Sequence, residues 1–257
     1  MSGIPFLSTR LFPKGRGALG YEITGVASRC DWVILSDFEP PHCALVKQID
    51  TDTPRYIFLS LRQPFEALKY FVTTVLPLLS SPFVLISGSE DATIPNQIDK
   101  RWRPFNVGER AAIATILANK LLLHWFAENL DDPAMPRTSA LPVGMVYPEG
   151  PHIGLAELPK VRPLAQRPLT ALFAQRIRSG KQWDLRRHVL DLARGPWAEF
   201  TTVLEQEVPE DTFLGLVEQH AFVICVEGGG VDPSPKAWQS LIHGAVPIIC
   251  SPGVCAS

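Results

Sequence analysis

No apolar run in this sequence approaches the ~20 residues that cross a bilayer. Its opening, MSGIPFLSTRLFPKGRG, has no signal-peptide core, so a cytoplasmic protein is expected. Cysteine is scarce. Cys30, Cys43, Cys225, Cys250 and Cys255 are odd in number and form no C-x-x-C pair, which supports neither a disulfide framework nor a zinc site. Cys225 and Cys250 fall inside apolar runs, where a thiol acts as a small hydrophobe. Charge of one sign is lacking too: the formal net charge is -2, which argues against a broad nucleic-acid-binding surface and favours small or polar ligands. There is no low-complexity tract. What remains is 257 residues, 46% apolar and 19% charged, a globular composition long enough for one large or two small domains.

The pattern along the chain is strand-helix alternation, run through twice. Apolar runs at 32–36, 56–61, 83–87 and 120–125 suit buried strands, and 65–79 and 108–118 have helical spacing. Residues 148–168, rich in proline, read as a linker. Beyond it, strands are expected at 169–174, 199–204, 221–226 and 245–250, with helices at 181–192, 211–219 and 236–243. The fold class expected is α/β, two Rossmann-like domains with largely parallel sheets facing one another across a cleft: an N-terminal domain over 1–147, the linker over 148–168 and a C-terminal domain over 169–257. His124, inside an apolar run, reads as a core residue.

The chemistry is expected in loops at the carboxyl ends of strands, where open parallel sheets bind ligands. The richest is 227–235. There Glu227 ends a strand, and Gly228, Gly229 and Gly230 allow positive φ and close approach of a ligand to backbone N–H groups. Ser234 and Pro235 read as N-cap and first residue of a helix, and Lys236 adds a cation in its first turn, an arrangement suited to a diphosphate. The loop lacks the spacing of a P-loop or dinucleotide fingerprint, so a plain strand-to-helix turn is the competing reading. A second loop carries Arg176, Arg178 and Lys181, able to neutralise phosphate, or to form a solvated turn. In a third, 87–95, Ser89, Asp91 and Thr93 are candidates for binding an acceptor or, for Asp91, taking its proton, against a plain cap-and-turn reading. Gly15 and Gly17, flanked by Lys14 and Arg16, read as a solvated turn or a small anion loop.

The run F-V-I-C-V-E-G-G-G-V-D-P-S-P-K-A-W-Q-S-L-I-H-G-A-V-P-I-I resembles the donor-side motif of exostosin-like glycosyltransferases and related two-domain GT-B enzymes. Leu141-Pro142-Val143-Gly144 is similar to a segment found where their first domain hands over to the second. The resemblance implies that the second domain binds a nucleotide diphosphate sugar and the first a hydroxyl acceptor. Glu227, Asp232 and Gln239 would then line the donor site, with Asp91 and Glu227 as the catalytic carboxylates. Metal-independent chemistry without a cofactor is the simpler expectation. Gln239 departs from the family, which carries a ribose-binding Glu there, so restoring Glu is expected to tighten donor binding. The chain stops directly after its last strand, so the second domain is expected to be truncated. Two alternatives stand beside transfer: a non-catalytic relative that only binds nucleotide sugar, and a phosphate-binding enzyme of unrelated chemistry, since fold does not fix function.

Overall fold

The computed structural model describes residues 4–38, 41–147, 154–180, 183–231 and 233–249. In chain order its strands are β1 (Ile4–Pro5), β2 (Trp32–Phe38), β3 (Pro41–Lys47), β4 (Tyr56–Ser60), β5 (Phe83–Gly88), β6 (Leu122–Ala127), β7 (Thr138–Ala140), β8 (Gly154–Leu155), β9 (Ala171–Phe173), β10 (Thr201–Val203), β11 (Phe222–Cys225) and β12 (Val246–Ile249). The α-helices are α1 (Pro64–Tyr70), α2 (Val107–Ala118), α3 (Asp184–Arg194), α4 (Glu210–Gln219) and α5 (Lys236–Ile242). They form two compact units. The first comprises Leu7–Val143 with Gly229–Val231; the second comprises Met1–Phe6, Gly144–Gly228 and Asp232–Ser257. The chain therefore passes between the units after Phe6, Val143, Gly228 and Val231, and the described part of the stretch expected as a linker belongs to the second unit.

The first unit holds a six-stranded sheet in the order β3-β2-β4-β5-β6-β7. All pairs are parallel except the β2-β3 hairpin. β2 is buried almost throughout because both its faces are covered. Trp32 and Ile34 join the core under α1 and α2, where Leu68, Phe71, Ile113 and Ile116 pack. Val33 and Leu35 face Leu11, Ala18, Tyr21 and Ala27 of an irregular N-terminal segment. Successive strands advance in one direction across the sheet, so right-handed crossovers put both helices on one face, and the other face is closed by coil. α1 continues through a π turn (Phe71–Val75) into a 3-10 turn (Leu76–Leu78), where Pro77 can no longer supply a helix donor. α2 starts at a capping box: Asn106 Oδ1 accepts from Gly108 N and Glu109 N, and Glu109 Oε2 accepts from Asn106 N at 2.7 Å.

The second unit has a four-stranded parallel sheet in the order β10-β9-β11-β12. The chain starts at β9, moves out to β10, then crosses back to β11, so direction reverses between β9 and β11. The reversal sends helices to both faces. α3 packs with Phe173, Ala193, Ile224 and Val226 on one, and α4 and α5 pack with Leu172, Phe213, Val217, Val223 and Ala237 on the other. This is the doubly wound, Rossmann-like arrangement, whose ligands sit at such a reversal beyond the carboxyl ends of the strands. A small pair, β1 with β8, belongs to this unit. No described helix is long and apolar enough to cross a membrane.

Candidate functional site

At the reversal point of the second unit, the loops after β9 and β11 are tied together by one side chain. Arg186, on the buried stripe of α3, donates from Nε to the Glu227 carbonyl at 2.9 Å, from Nη2 to Val226 O at 3.1 Å and from Nη1 to Arg176 O at 2.8 Å. Arg176, Glu227 and Gly228 are thereby brought together, the last packing beside the Arg186 guanidinium. Arg186 was not among the sequence candidates; an arginine on the apolar face of an amphipathic helix was the signal for it. Gln175 Nε2 donates to Ile224 O at 2.7 Å, closing the gap between the same two strands.

Beside this tie lies a cavity of about 380 Å³, at the low end of the range for small-molecule sites. Residues following β9 (Gln175, Arg176, Ile177) and β10 (Glu205, Gln206, Glu207) line it, with Phe213 of α4 and Lys236 of α5. It sits on the β9–β10 side of the reversal, which the Arg186 guanidinium bridges. The Lys236 Nζ lies 5.1 Å from the Phe213 ring centroid and, among the described residues, makes no ion pair with a carboxylate. Burial, then the neighbouring charges of Arg186 and Arg176, hold its ammonium below the usual lysine range. A bound anion would relieve both effects. Glu227 is half-buried, and burial raises its carboxyl above the ordinary range against the pull of Arg186.

Other candidates are placed differently. The glycines after Glu227 do not take positive φ. Gly229 and Gly230 belong to the first unit, where a Cβ on either would come within 2.0 Å of Arg101 Nη2 or Asn129 Oδ1, and Val231 N donates to that same Oδ1 at 3.0 Å. Close approach does require glycine here, but the approaching groups are protein side chains. Ser234 stands before a Pro235 of helical φ and ψ, and its hydroxyl accepts from Lys236 N in a long bond of 3.5 Å, while its carbonyl accepts from Ala237 N at 2.8 Å. Gln239 is buried, and its Nε2 donates to Val146 O at 3.0 Å, so its amide is engaged inside the unit rather than presented to a ribose. Arg176 pairs with Glu207. Arg178 is exposed and contributes its carbonyl to Arg187. Lys181 and Asp232 lie outside the described residues.

In the first unit the carboxyl ends of β4, β5 and β6 converge on a charged cluster. Arg10 pairs with Asp91 and, at 2.5 Å, with Glu128. Arg62 pairs with Glu90 at 2.5 Å, and Arg101 with Asp91 at 2.5 Å and Asp99 at 2.6 Å. Burial would raise the Asp91 carboxyl, but Arg10 and Arg101 overcome it and hold it well below the usual range, which makes a weak base. Ser89 has φ 76° and is fully buried; its Oγ accepts from Leu11 N and Arg62 Nη2, and its N–H donates to Glu128. Thr93, also fully buried, donates to Asp131 and accepts from Ile98 N. Both hydroxyls thus hold loops together. The sequence also contains two motif spacings outside the expectations above. Gly15-Arg16-Gly17-Ala18-Leu19-Gly20 matches a dinucleotide fingerprint but leads only into a three-residue 3-10 turn (Ala18–Gly20), without the strand and helix that give the motif meaning. Asp50-Thr51-Asp52 is a D-x-D triplet on the exposed β3–β4 connection, and among the described residues no group of three His, Cys, Asp or Glu gathers as a metal site. No model of a known protein family matches the sequence, and no curated protein matches it.

Proposed function

We propose that the chain transfers a sugar from a nucleotide diphosphate donor to a hydroxyl acceptor, with the donor's diphosphate held in the second unit's cavity. The observation that carries this reading is Lys236: a half-buried cation without a carboxylate partner among the described residues, lining a cavity at the carboxyl ends of parallel strands and flanked by Arg176. Lys236 offers a phosphate group a cation there, and leaving-group charge is what cations stabilise most as the bond to the sugar breaks. Of the two carboxylates put forward to take the acceptor's proton, Glu227 has the raised pKa that suits a base. Asp91 is held ionised by two arginines.

Replacing Lys236 by Met is expected to weaken a nucleoside diphosphate by about tenfold or more in calorimetric titration, the loss of one bond to a charged group, while the parent nucleoside binds as before. Equal affinity of the diphosphate for both proteins overturns the reading. A second reading, binding without transfer, is favoured by the engagement of Gln239 and the locking of Asp91. A donor that binds but is neither hydrolysed nor transferred in the presence of hydroxyl acceptors establishes it.

A further inference from the structure

The cavity that takes the diphosphate in the proposed function already contains anions of its own. Glu205 and Glu207 follow β10 and line it, Glu205 paired with Arg194 and Glu207 with Arg176. The two cations nearest the proposed phosphate position are therefore unlike: Lys236 has no carboxylate partner among the described residues, whereas Arg176 is occupied. The Arg176 and Glu207 side chains are 52% and 64% exposed, so solvent screens their pair and either partner can swing away without disturbing the core.

We propose that Glu207 is a specificity-determining residue that competes with the ligand's second phosphate for Arg176. A ligand with one phosphate pairs with Lys236 and leaves the Arg176–Glu207 pair standing. With two phosphates, a ligand reaches Arg176 only by displacing Glu207, so what it gains at Arg176 is offset by the ion pair it breaks. Once transfer is complete the departing product is itself a nucleoside diphosphate, and Glu207 returning to Arg176 speeds its exit, a step that often limits turnover. This assignment rests on the proposed function and says what moderates the same cavity's hold on the second phosphate.

The experiment titrates a nucleoside diphosphate and the monophosphate of the same base into the wild-type chain, Glu207→Gln, and Glu207→Gln combined with Arg176→Gln. An exposed ion pair of this kind corresponds to roughly 1.5- to fivefold in affinity. Glu207→Gln is expected to tighten the diphosphate by that factor, through slower dissociation in stopped-flow, and to leave the monophosphate unchanged; adding Arg176→Gln abolishes the gain. Unchanged or weaker diphosphate binding by Glu207→Gln, with normal binding by the wild type, overturns the role of Glu207 and leaves the proposed function standing. An equal gain for both nucleotides overturns the selection between one and two phosphates. If no variant binds either nucleotide, the inference and the proposed function fall together.

Discussion

The amide of Gln239 donates to a backbone carbonyl inside the second unit, and that single bond decides what a substitution there does. Glutamate at 239 would set a carboxylate oxygen against the Val146 carbonyl oxygen, in a place where water cannot intervene. Gln239→Glu is therefore expected to lower stability by about 1–3 kcal/mol or more, read as a lower urea midpoint, and not to tighten a nucleotide sugar. The sequence carried no sign of this, because the partner of Gln239 lies ninety-three positions away. Asp91 gives a test by pH. Its folded pKa lies below the unfolded value, so the stability it contributes is present above about pH 4 and is lost as pH falls through the folded value. The difference in unfolding free energy between the wild type and Asp91→Asn should be widest above that pH and narrow below it. A difference that stays constant from pH 7 to pH 2 would mean that Arg10 and Arg101 do not hold the carboxylate down.

Elements with strong periodicity were legible, and those defined by partners were not. β2, β4, β5, β6 and the four strands of the second unit's parallel sheet fall within about two residues of their apolar runs. β3 escaped notice because it opens on Pro41, a residue rare in strands and tolerated as the first residue of an edge strand such as this one, paired only with β2. β7, three residues long, has too few positions to show a period. The end of the stretch expected as a linker is in fact a fastening. Arg167, 4% exposed, donates to the carbonyls of Val217 and His220 at the end of α4, of His243 at the end of α5, and of Arg162. It satisfies helix-terminal acceptors that the helices cannot satisfy themselves. Arg167→Ala should destabilise the second unit by about 3 kcal/mol or more, since the carbonyls it serves lose a charged donor. A loss under 1 kcal/mol, at an unchanged dependence on denaturant, would show that water replaces it freely.

For the whole molecule, two α/β units with largely parallel sheets were readable from the doubled alternation. Which segments belong to which unit was not. Residues 1–6 join the second unit and Gly229–Val231 the first, assignments that depend on β1 pairing with β8 and on the Asn129 side chain meeting Val231 N, neither of which leaves a periodic trace. The candidate site was legible in part. Lys236, Arg176 and Glu227 came from the positions of loops after strands, whereas Arg186, Glu205 and Glu207 emerged only once the strand order was known. The tripeptide Gly229–Val231 has a consequence for how the protein is born. A ribosome delivers residues in order, at some 5–20 each second. The first unit, though nearly all of its chain emerges early, must wait for its last contributors until β9, β10 and β11 have also been made. Its completion is thus timed by the synthesis of its neighbour.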